Sequence, residues 1–129
     1  MDPVKVLQRA YQDELLDALR AEGAAPGVPY PHVRALLLEV ARRERAHAEA
    51  LAEALRRRGA PLPPTPKPEE GGWETLLRLL SEEGLDRAYY LESTFPDPEL
   101  EALFTRLGQE ERLNQEAVRK AVMLIGGGL

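Results

Sequence analysis

The sequence predicts an all-α protein, a bundle of four helices in which one long proline-rich link crosses from one end to the other. Apolar residues recur at helical spacing in four separate stretches. No stretch shows the two-residue alternation of a β-strand. The link between the second and third stretches is rich in proline and long enough to run the length of a helix.

The four helices are expected at about residues 3–22, 32–58, 73–93 and 98–123 of a single domain, 1–129. Two of them have the start signal of an aspartate followed by a proline, and one has a glycine at its end. These signals are Asp2-Pro3, Asp97-Pro98 and Gly59. The glycines at 126–128 are expected to form a frayed tail.

The link between Gly59 and Gly72 should be extended and stiff, because it contains Pro61, Pro63, Pro64, Pro66 and Pro68. Its residues, at ~3.1 Å each, span ~40 Å. Helix 2, at ~1.5 Å per residue, is equally long. Helix 3 should therefore start beside the start of helix 2 and run parallel to it. The alternative is an up-down bundle with an overlong loop.

Composition limits the functions that the chain can have. It has no cysteine, which excludes disulfides, thiolate metal sites and cysteine nucleophiles. A net charge of −5 disfavours nucleic acid as a partner. The amino terminus lacks a signal peptide's apolar stretch, and no apolar run approaches membrane-spanning length, so we expect a cytoplasmic protein without membrane contact. The abundance of Ala, Leu, Arg, Glu and Pro suggests a thermophilic source.

The two halves of the chain resemble each other, which indicates a duplicated helical hairpin. Residues 14–17 correspond to 83–86, and residues 44–50 correspond to 111–117. Each hairpin then has a glutamate on its first helix and a Glu-x-x-polar motif on its second. Such a bundle has a pseudo-two-fold axis, across which the paired residues meet.

Each apolar stripe is interrupted near its middle by a glutamate on the face that should point to the core. The four are Glu14, Glu44, Glu83 and Glu111. Carboxylates gathered in one buried layer would repel one another and lose hydration worth several kcal/mol each. Two divalent ions would neutralise all four. The alternative is protonation, with pKa values raised by burial and by mutual repulsion.

His47 follows Glu44 by three residues, so both side chains project from one face of helix 2. Taken alone, His47 is more simply interpreted as a partly buried histidine with an ordinary hydrogen-bond partner. The repeat and the four interrupted stripes favour a metal ligand instead.

Several segments resemble rubrerythrin-like members of the ferritin-like superfamily. Residues 43–61, with Glu44-x-x-His47 leading into Leu51 and Leu55, are similar to the second helix of that family, residues 76–90 to the third and residues 97–114 to the fourth. The resemblance implies a ferritin-like four-helix bundle that holds two iron or manganese ions. It also implies activity on peroxide, dioxygen or ferrous iron.

The ligands implied by the resemblance are terminal carboxylates on helices 1 and 3, bridging carboxylates on helices 2 and 4, and one imidazole: Glu14, Glu83, Glu44, Glu111 and His47. Asn114 stands where the family has a second histidine, and an amide oxygen is a weaker donor than imidazole. We therefore expect weaker metal binding on the Asn114 side, and the alternatives are a site that holds one ion or none. Because there is no cysteine, redox activity would need an external electron donor.

Four further residues lie near the predicted ligands in the sequence. Asp17 and Asp86, one turn beyond the helix 1 and helix 3 glutamates, could orient metal ligands, but we expect them at the surface. Tyr11 and Tyr90 are expected in the core, and the alternatives are a hydrogen bond to the site or a redox-active role.

Two other functions remain open from the sequence. One is a degenerate ferritin-like bundle with a weakened or absent metal site, used for structure or partner binding. The other is a ribonuclease of the HEPN type, whose arginine-x4-histidine motif is matched by Arg42 and His47 but disfavoured by the acidic charge. Related short bundles associate through helix faces, which makes a homodimer a further expectation.

Overall fold

The computed structural model describes residues 2–68 and 73–126, except for the side chains of residues 73, 74, 76, 80, 81, 83 and 84. Its four long helices are α1 Pro3–Ala24, α2 Pro31–Arg57, α3 Trp73–Glu92 and α4 Pro98–Gly126. A 3₁₀ turn, Ala25–Gly27, follows α1. The described ranges contain no β-strand, so the predicted all-α class is confirmed. None of the described helices combines the length and the apolar character needed to cross a bilayer.

The predicted helix boundaries agree with the structure to within one turn. The largest difference is in α4, which was expected to end at residue 123 and continues to Gly126. Its last turn stays helical because Leu124 and Ile125 pack against the cluster around Val28 and Leu37. The expected frayed tail is therefore wrong at Gly126, and residues 127–128 lie outside the described part.

The predicted start and stop signals act as expected. The Asp2 carboxylate accepts a hydrogen bond from the Val4 N–H at 3.0 Å, and Asp97 accepts one from the Glu99 N–H at 2.9 Å. Each bond satisfies a backbone donor that the first helical turn leaves without a partner. Gly59 has φ = 64°, the left-handed conformation that commonly follows a helix end.

The directions of the helices follow from the apolar clusters at the two ends. At one end, the early turns of α1 and α4 pack with the late turns of α2 and α3, through Leu7, Leu55, Tyr90 and Leu100. Towards the other end, the early turns of α2 and α3 pack with the late turns of α1 and α4, through Val40, Leu79, Ala21 and Val118. Consequently α2 and α3 run parallel, as the length of the link predicts, and the up-down alternative does not apply.

The described part of the link lies against α1. Gln8 donates from Nε2 to the Pro61 carbonyl at 3.0 Å, and Gln12, one turn later, donates to the Pro64 carbonyl at 3.2 Å. The link therefore follows α1 from its start towards its middle. The side-chain donors bind backbone carbonyls that an extended, proline-rich segment cannot satisfy internally.

Packing between α3 and α4 is close at Gly108. A Cβ added there would lie 2.8 Å from Leu91 Cδ2 and 3.2 Å from Tyr90 Cβ. The exposed Leu91 side chain can turn away, but Tyr90 is buried and hydrogen-bonded to Glu14. The glycine therefore sets how closely α4 approaches the end of α3.

We expect Gly108→Ala to lower the free energy of unfolding by about 1 kcal/mol. Overpacking at ~1–3 kcal/mol should outweigh the gain of up to ~1 kcal/mol in helix propensity. Gly23→Ala is the matched control, since no atom lies within 4 Å of its added Cβ, and it should stabilise the protein. Urea unfolding measures both changes, and a stabilised Gly108→Ala would contradict the close packing.

Candidate metal centre

Three helices bring five predicted site residues together in one buried layer between the apolar ends of the bundle. They are Glu14 from α1, Glu44 and His47 from α2, and Glu111 and Asn114 from α4. None is more than 2% exposed. One ligand atom from each of Glu14, Glu44, His47 and Glu111 lies within 4.8 Å of the others. These four residues could therefore hold a metal ion.

Glu83 was predicted as the fourth carboxylate of this layer. Its side chain lies outside the described residues, so the convergence of glutamates is observed for three of the predicted four. Its helix, α3, packs against both α1 and α4.

His47 has carboxylates on both sides of its ring. Its Nδ1 lies 2.9 Å from Glu111 Oε1 and 3.3 Å from Glu14 Oε2, inside the carboxylate group. Its Nε2 lies 2.9 Å from Glu110 Oε1, whose side chain is 39% exposed. A metal-binding histidine commonly has a carboxylate on its second nitrogen, which fixes the ring and the tautomer. Glu110 has that position relative to His47.

Asn114 is held by charged groups on both sides of its amide. Arg43 donates from a guanidinium nitrogen to Asn114 Oδ1 at 2.7 Å. Asn114 in turn donates from Nδ2 to Glu44 Oε1 at 2.5 Å. The reverse orientation of the amide would face NH₂ against the guanidinium and oxygen against the carboxylate, so the charges of the two neighbours select this one.

Tyr90 connects the carboxylate layer to the adjoining apolar end. Its hydroxyl donates to Glu14 Oε1 at 2.7 Å, and its ring packs edge-on against Phe104 with the centroids 5.0 Å apart. The hydrogen bond that the sequence offered as an alternative is therefore present for Tyr90. Tyr11, which is partly buried, packs against the same apolar cluster, as expected.

Asp17 and Asp86 are buried, which corrects the expectation that they lie at the surface. They are 2% and 7% exposed, and with Glu44 they form a second acidic group whose oxygens lie within 4.8 Å of one another. Asp17 follows Glu14 by three residues and therefore shares its face of α1. The Arg20 guanidinium, also buried, lies 3.4 Å from Asp17 Oδ1.

Burial raises the pKa of several of these carboxyls. Removal from water is the main cause for Glu14 and Glu44, whose pKa values lie well above the usual range, and the negative charge of neighbouring carboxylates adds to it. Burial likewise raises the pKa of Asp17 to about 7. The pKa of Tyr90 is also raised, by burial and then by the charge of Glu14. The layer therefore favours bound protons or a bound cation.

The donor atoms fit a divalent metal. Among the described side chains, Glu14 Oε2 and Glu44 Oε2 are fully buried oxygens that accept no hydrogen bond. Buried polar atoms normally have a partner, so such oxygens indicate a missing proton or cation. Carboxylate oxygens together with an imidazole nitrogen suit iron, manganese or zinc better than calcium.

Arg43 and Glu110 were not identified from the sequence. Each precedes a core glutamate by one position, where helical geometry directs a side chain about 100° away from the stripe. A signal was nevertheless present: positions 43 and 110 are equivalent in the repeat, because each directly precedes the paired Glu44 and Glu111.

The two residues of the ribonuclease-like motif do not come together. The Arg42 side chain is 67% exposed and pairs with Glu39 on the surface of α2, while His47 points into the core. The shared site required by that hypothesis is not formed by the described side chains.

A surface groove of about 330 Å³ between α1 and α3 adjoins the second acidic group. Its lining includes Arg9, Asp13, Glu82, Asp86 and Tyr89. Asp86 also belongs to the buried group with Asp17 and Glu44. The groove therefore offers an approach from solvent to the buried carboxyls.

Comparison with protein-family models, with curated proteins and with solved structures gives no match for this chain.

The stability of the metal-free protein should fall as pH rises. Carboxyls with raised pKa values bind protons more tightly in the folded than in the unfolded state, so folding is favoured at low pH. For Asp17 the loss should run from its ordinary pKa of 3.8 to about 7 and amount to a few kcal/mol. Glu14 and Glu44 should extend the loss to higher pH. Urea unfolding in the presence of chelator, at a series of pH values, measures it; stability that rises from pH 4 to 7 would contradict it.

Proposed function

We propose that the protein is a ferritin-like metal protein of the rubrerythrin kind, which binds iron or manganese in its core and acts on peroxide, dioxygen or ferrous iron. The observation that carries the proposal is the convergence of Glu14, Glu44, His47 and Glu111 in one fully buried layer. Such a layer is unfavourable in an ordinary core and favourable around a divalent ion.

The arrangement of the helices supports the proposal. Two antiparallel hairpins are joined so that α2 and α3 run parallel, which is the connection typical of ferritin-like bundles. In di-metal bundles of this kind, ligands come from facing helices and project inward from their middle turns. The three described glutamates of this chain have that placement.

The residues around the layer suit such chemistry. A bound iron or manganese ion would supply the redox step, which the side chains alone cannot. Glu110 would hold the His47 ring, and Tyr90 would hold the Glu14 carboxylate. Apolar clusters on both sides limit the access of water to the layer. Electrons would come from an external donor, because the chain contains no cysteine.

Divalent metal should stabilise the folded protein. We expect Mn²⁺ or Fe²⁺ to raise the melting temperature, because a ligand at a hundred times its dissociation constant adds ~2.7 kcal/mol. Glu44→Gln should abolish most of that rise while stabilising the metal-free protein at neutral pH, since it removes the cost of charging or protonating a buried carboxyl and keeps an acceptor for Asn114. Glu49→Gln, on the exposed side of α2, is the matched control and should change neither.

Two results would count against the metal site. One is a melting temperature that is indifferent to Mn²⁺ and Fe²⁺. The other is a Glu44→Gln protein that responds to metal as the unaltered protein does. Either would leave a helical bundle whose buried acids are held by protons and hydrogen bonds.

Activity should follow metal loading. The iron-loaded protein, supplied with an artificial electron donor, should consume hydrogen peroxide or dioxygen. When Fe²⁺ is added to the metal-free protein, the protein should speed the oxidation of Fe²⁺ by dioxygen. His47→Ala should lose most of either activity, and Glu49→Gln should keep it. A protein that binds metal but turns over neither hydrogen peroxide, dioxygen nor Fe²⁺ would contradict the redox part of the proposal.

A second function, a structural or partner-binding bundle, is favoured by one observation. The hydrogen bonds from Arg43 through Asn114 to Glu44 satisfy part of the layer without any ligand. A bundle of this kind predicts no metal-dependent rise in melting temperature, so the melting experiment separates the two functions.

A further inference from the structure

We infer that the centre takes a single divalent ion, on the His47 side, and that the Arg43 guanidinium is the built-in cation of the Asn114 side. The inference rests on the proposed metal site. Among the occupancies that the sequence left open it selects one ion, and it replaces the expectation that Asn114 is a ligand by a centre in which one of the two cations belongs to the protein.

Two contacts between α2 and α4 are equivalent in the repeat. His47 of α2 reaches across to Glu110 of α4, and Asn114 of α4 reaches back to Arg43 of α2. Positions 47 and 114 correspond in the repeat, as do positions 43 and 110. The bundle therefore contains the same inter-helix contact in both halves. In one half an acidic residue contacts an imidazole, and in the other a basic residue contacts an amide.

The half with the acid is suited to a cation. With Glu110 on its Nε2, the His47 ring presents Nδ1 to Glu111 and Glu14, at 2.9 and 3.3 Å. A carboxylate behind the ring makes the imidazole a better metal donor. A divalent ion in this half would meet one nitrogen and several carboxylate oxygens.

The half with the base is closed to a cation. Oδ1 is the atom of Asn114 that could bind a metal, and it accepts the hydrogen bond from Arg43 at 2.7 Å. Nδ2 cannot be a ligand and donates to Glu44 at 2.5 Å. The guanidinium is largely buried, with 20% of the Arg43 side chain exposed, so its charge is weakly screened by solvent, and on its outer side Nη2 lies 3.4 Å from the Glu39 carboxylate. A second ion would lose the amide oxygen and face this charge.

The charges of the described ligand group agree with one ion. One divalent ion and the Arg43 guanidinium together balance the three fully buried glutamates, Glu14, Glu44 and Glu111. The partly exposed carboxylates of Glu110 and Glu39 lie outside this count. The neighbouring acidic pair, Asp17 and Asp86, has the buried guanidinium of Arg20 beside it, 3.4 Å from Asp17 Oδ1. Arginine is not deprotonated in proteins, so both built-in charges persist at all relevant pH values.

The test is the number of Mn²⁺ ions bound per chain, counted by elemental analysis after desalting, with the electron paramagnetic resonance spectrum as a second readout. The unaltered protein should bind one ion and show the hyperfine pattern of an isolated Mn²⁺, not that of a spin-coupled pair. Asn114→His alone should still bind one ion, because Arg43 remains.

The decisive variant is Arg43→Glu combined with Asn114→His, which copies the Glu110–His47 contact into the other half. It should bind two ions and show a spin-coupled spectrum. Arg42→Glu combined with Asn114→His makes the same change of charge one position away on the exposed face and should bind one ion. If the decisive variant does not fold, Arg43→Gln with Asn114→His removes the same positive charge and should also bind two.

Three results would overturn the inference while leaving the metal site intact. They are two ions in the unaltered protein, two ions in Asn114→His alone, and a folded double variant that binds only one. Failure of the unaltered protein to bind any Mn²⁺ or Fe²⁺ would instead overturn the proposed function, and the inference with it.

Discussion

The constraint on which the structure depends is the burial of five described carboxyl groups in two adjoining groups near the middle of a small helical bundle. Glu14, Glu44 and Glu111 are fully inaccessible to solvent, and Asp17 and Asp86 nearly so. An isolated buried carboxylate costs several kcal/mol, and a neighbouring carboxylate adds repulsion. A domain of this size has a net stability of only ~5–15 kcal/mol, so neighbouring groups must offset the cost of burying these carboxyls. Protons, hydrogen-bond donors and cations can each offset this cost. The donors Tyr90, Asn114 and Arg43 lie around the carboxyls for this reason.

The topology makes that local compensation possible. Because α2 and α3 run parallel, the middle turns of both hairpins meet at one level, with apolar clusters on either side. Tyr90 then reaches Glu14 from α3, and Asn114 reaches Glu44 from α4, neither of which is a neighbour in sequence. In an up-down bundle, reversal of one hairpin would change which donors face which acids. The proline-rich link, held to α1 by Gln8 and Gln12, therefore contributes to the site although it lies outside it.

The sequence predicted the helices and the central residues because both depend on one-dimensional periodicity. Glu14, Glu44, His47, Glu111 and Asn114 interrupt apolar stripes, and a stripe marks the buried face whatever the partner helix is. The prediction that Asp17 lies at the surface was wrong because the pattern of one helix does not show which polar residues the neighbouring helices cover. In the structure Asp17 is buried. Arg43 and Glu110 lie beside the stripe, and only the spacing of α2 and α4 shows that such long side chains reach the layer. The periodicity of a helix can be found in a short stretch of sequence. The pairing of charges between helices depends on how the helices pack, which a short stretch does not show.

The two halves of the repeat differ at two pairs of contacting residues, and in each pair the two residues suit each other chemically. Glu110 faces an imidazole that can give it a hydrogen bond, and Arg43 faces an amide oxygen that can accept one. If Glu stood at position 43 opposite Asn114, the carboxylate would face the amide oxygen, or the amide would turn and direct its oxygen at Glu44. If Arg stood at position 110 opposite His47, two donors would meet beside a ring that must keep a lone pair for a metal. A Glu at position 43 or an Arg at position 110, introduced alone, would therefore lose the contact with its present partner at position 114 or 47. Two halves with the same backbone arrangement can thus differ in function. The half with His47 could bind an added cation, whereas the half with Asn114 already contains the Arg43 guanidinium.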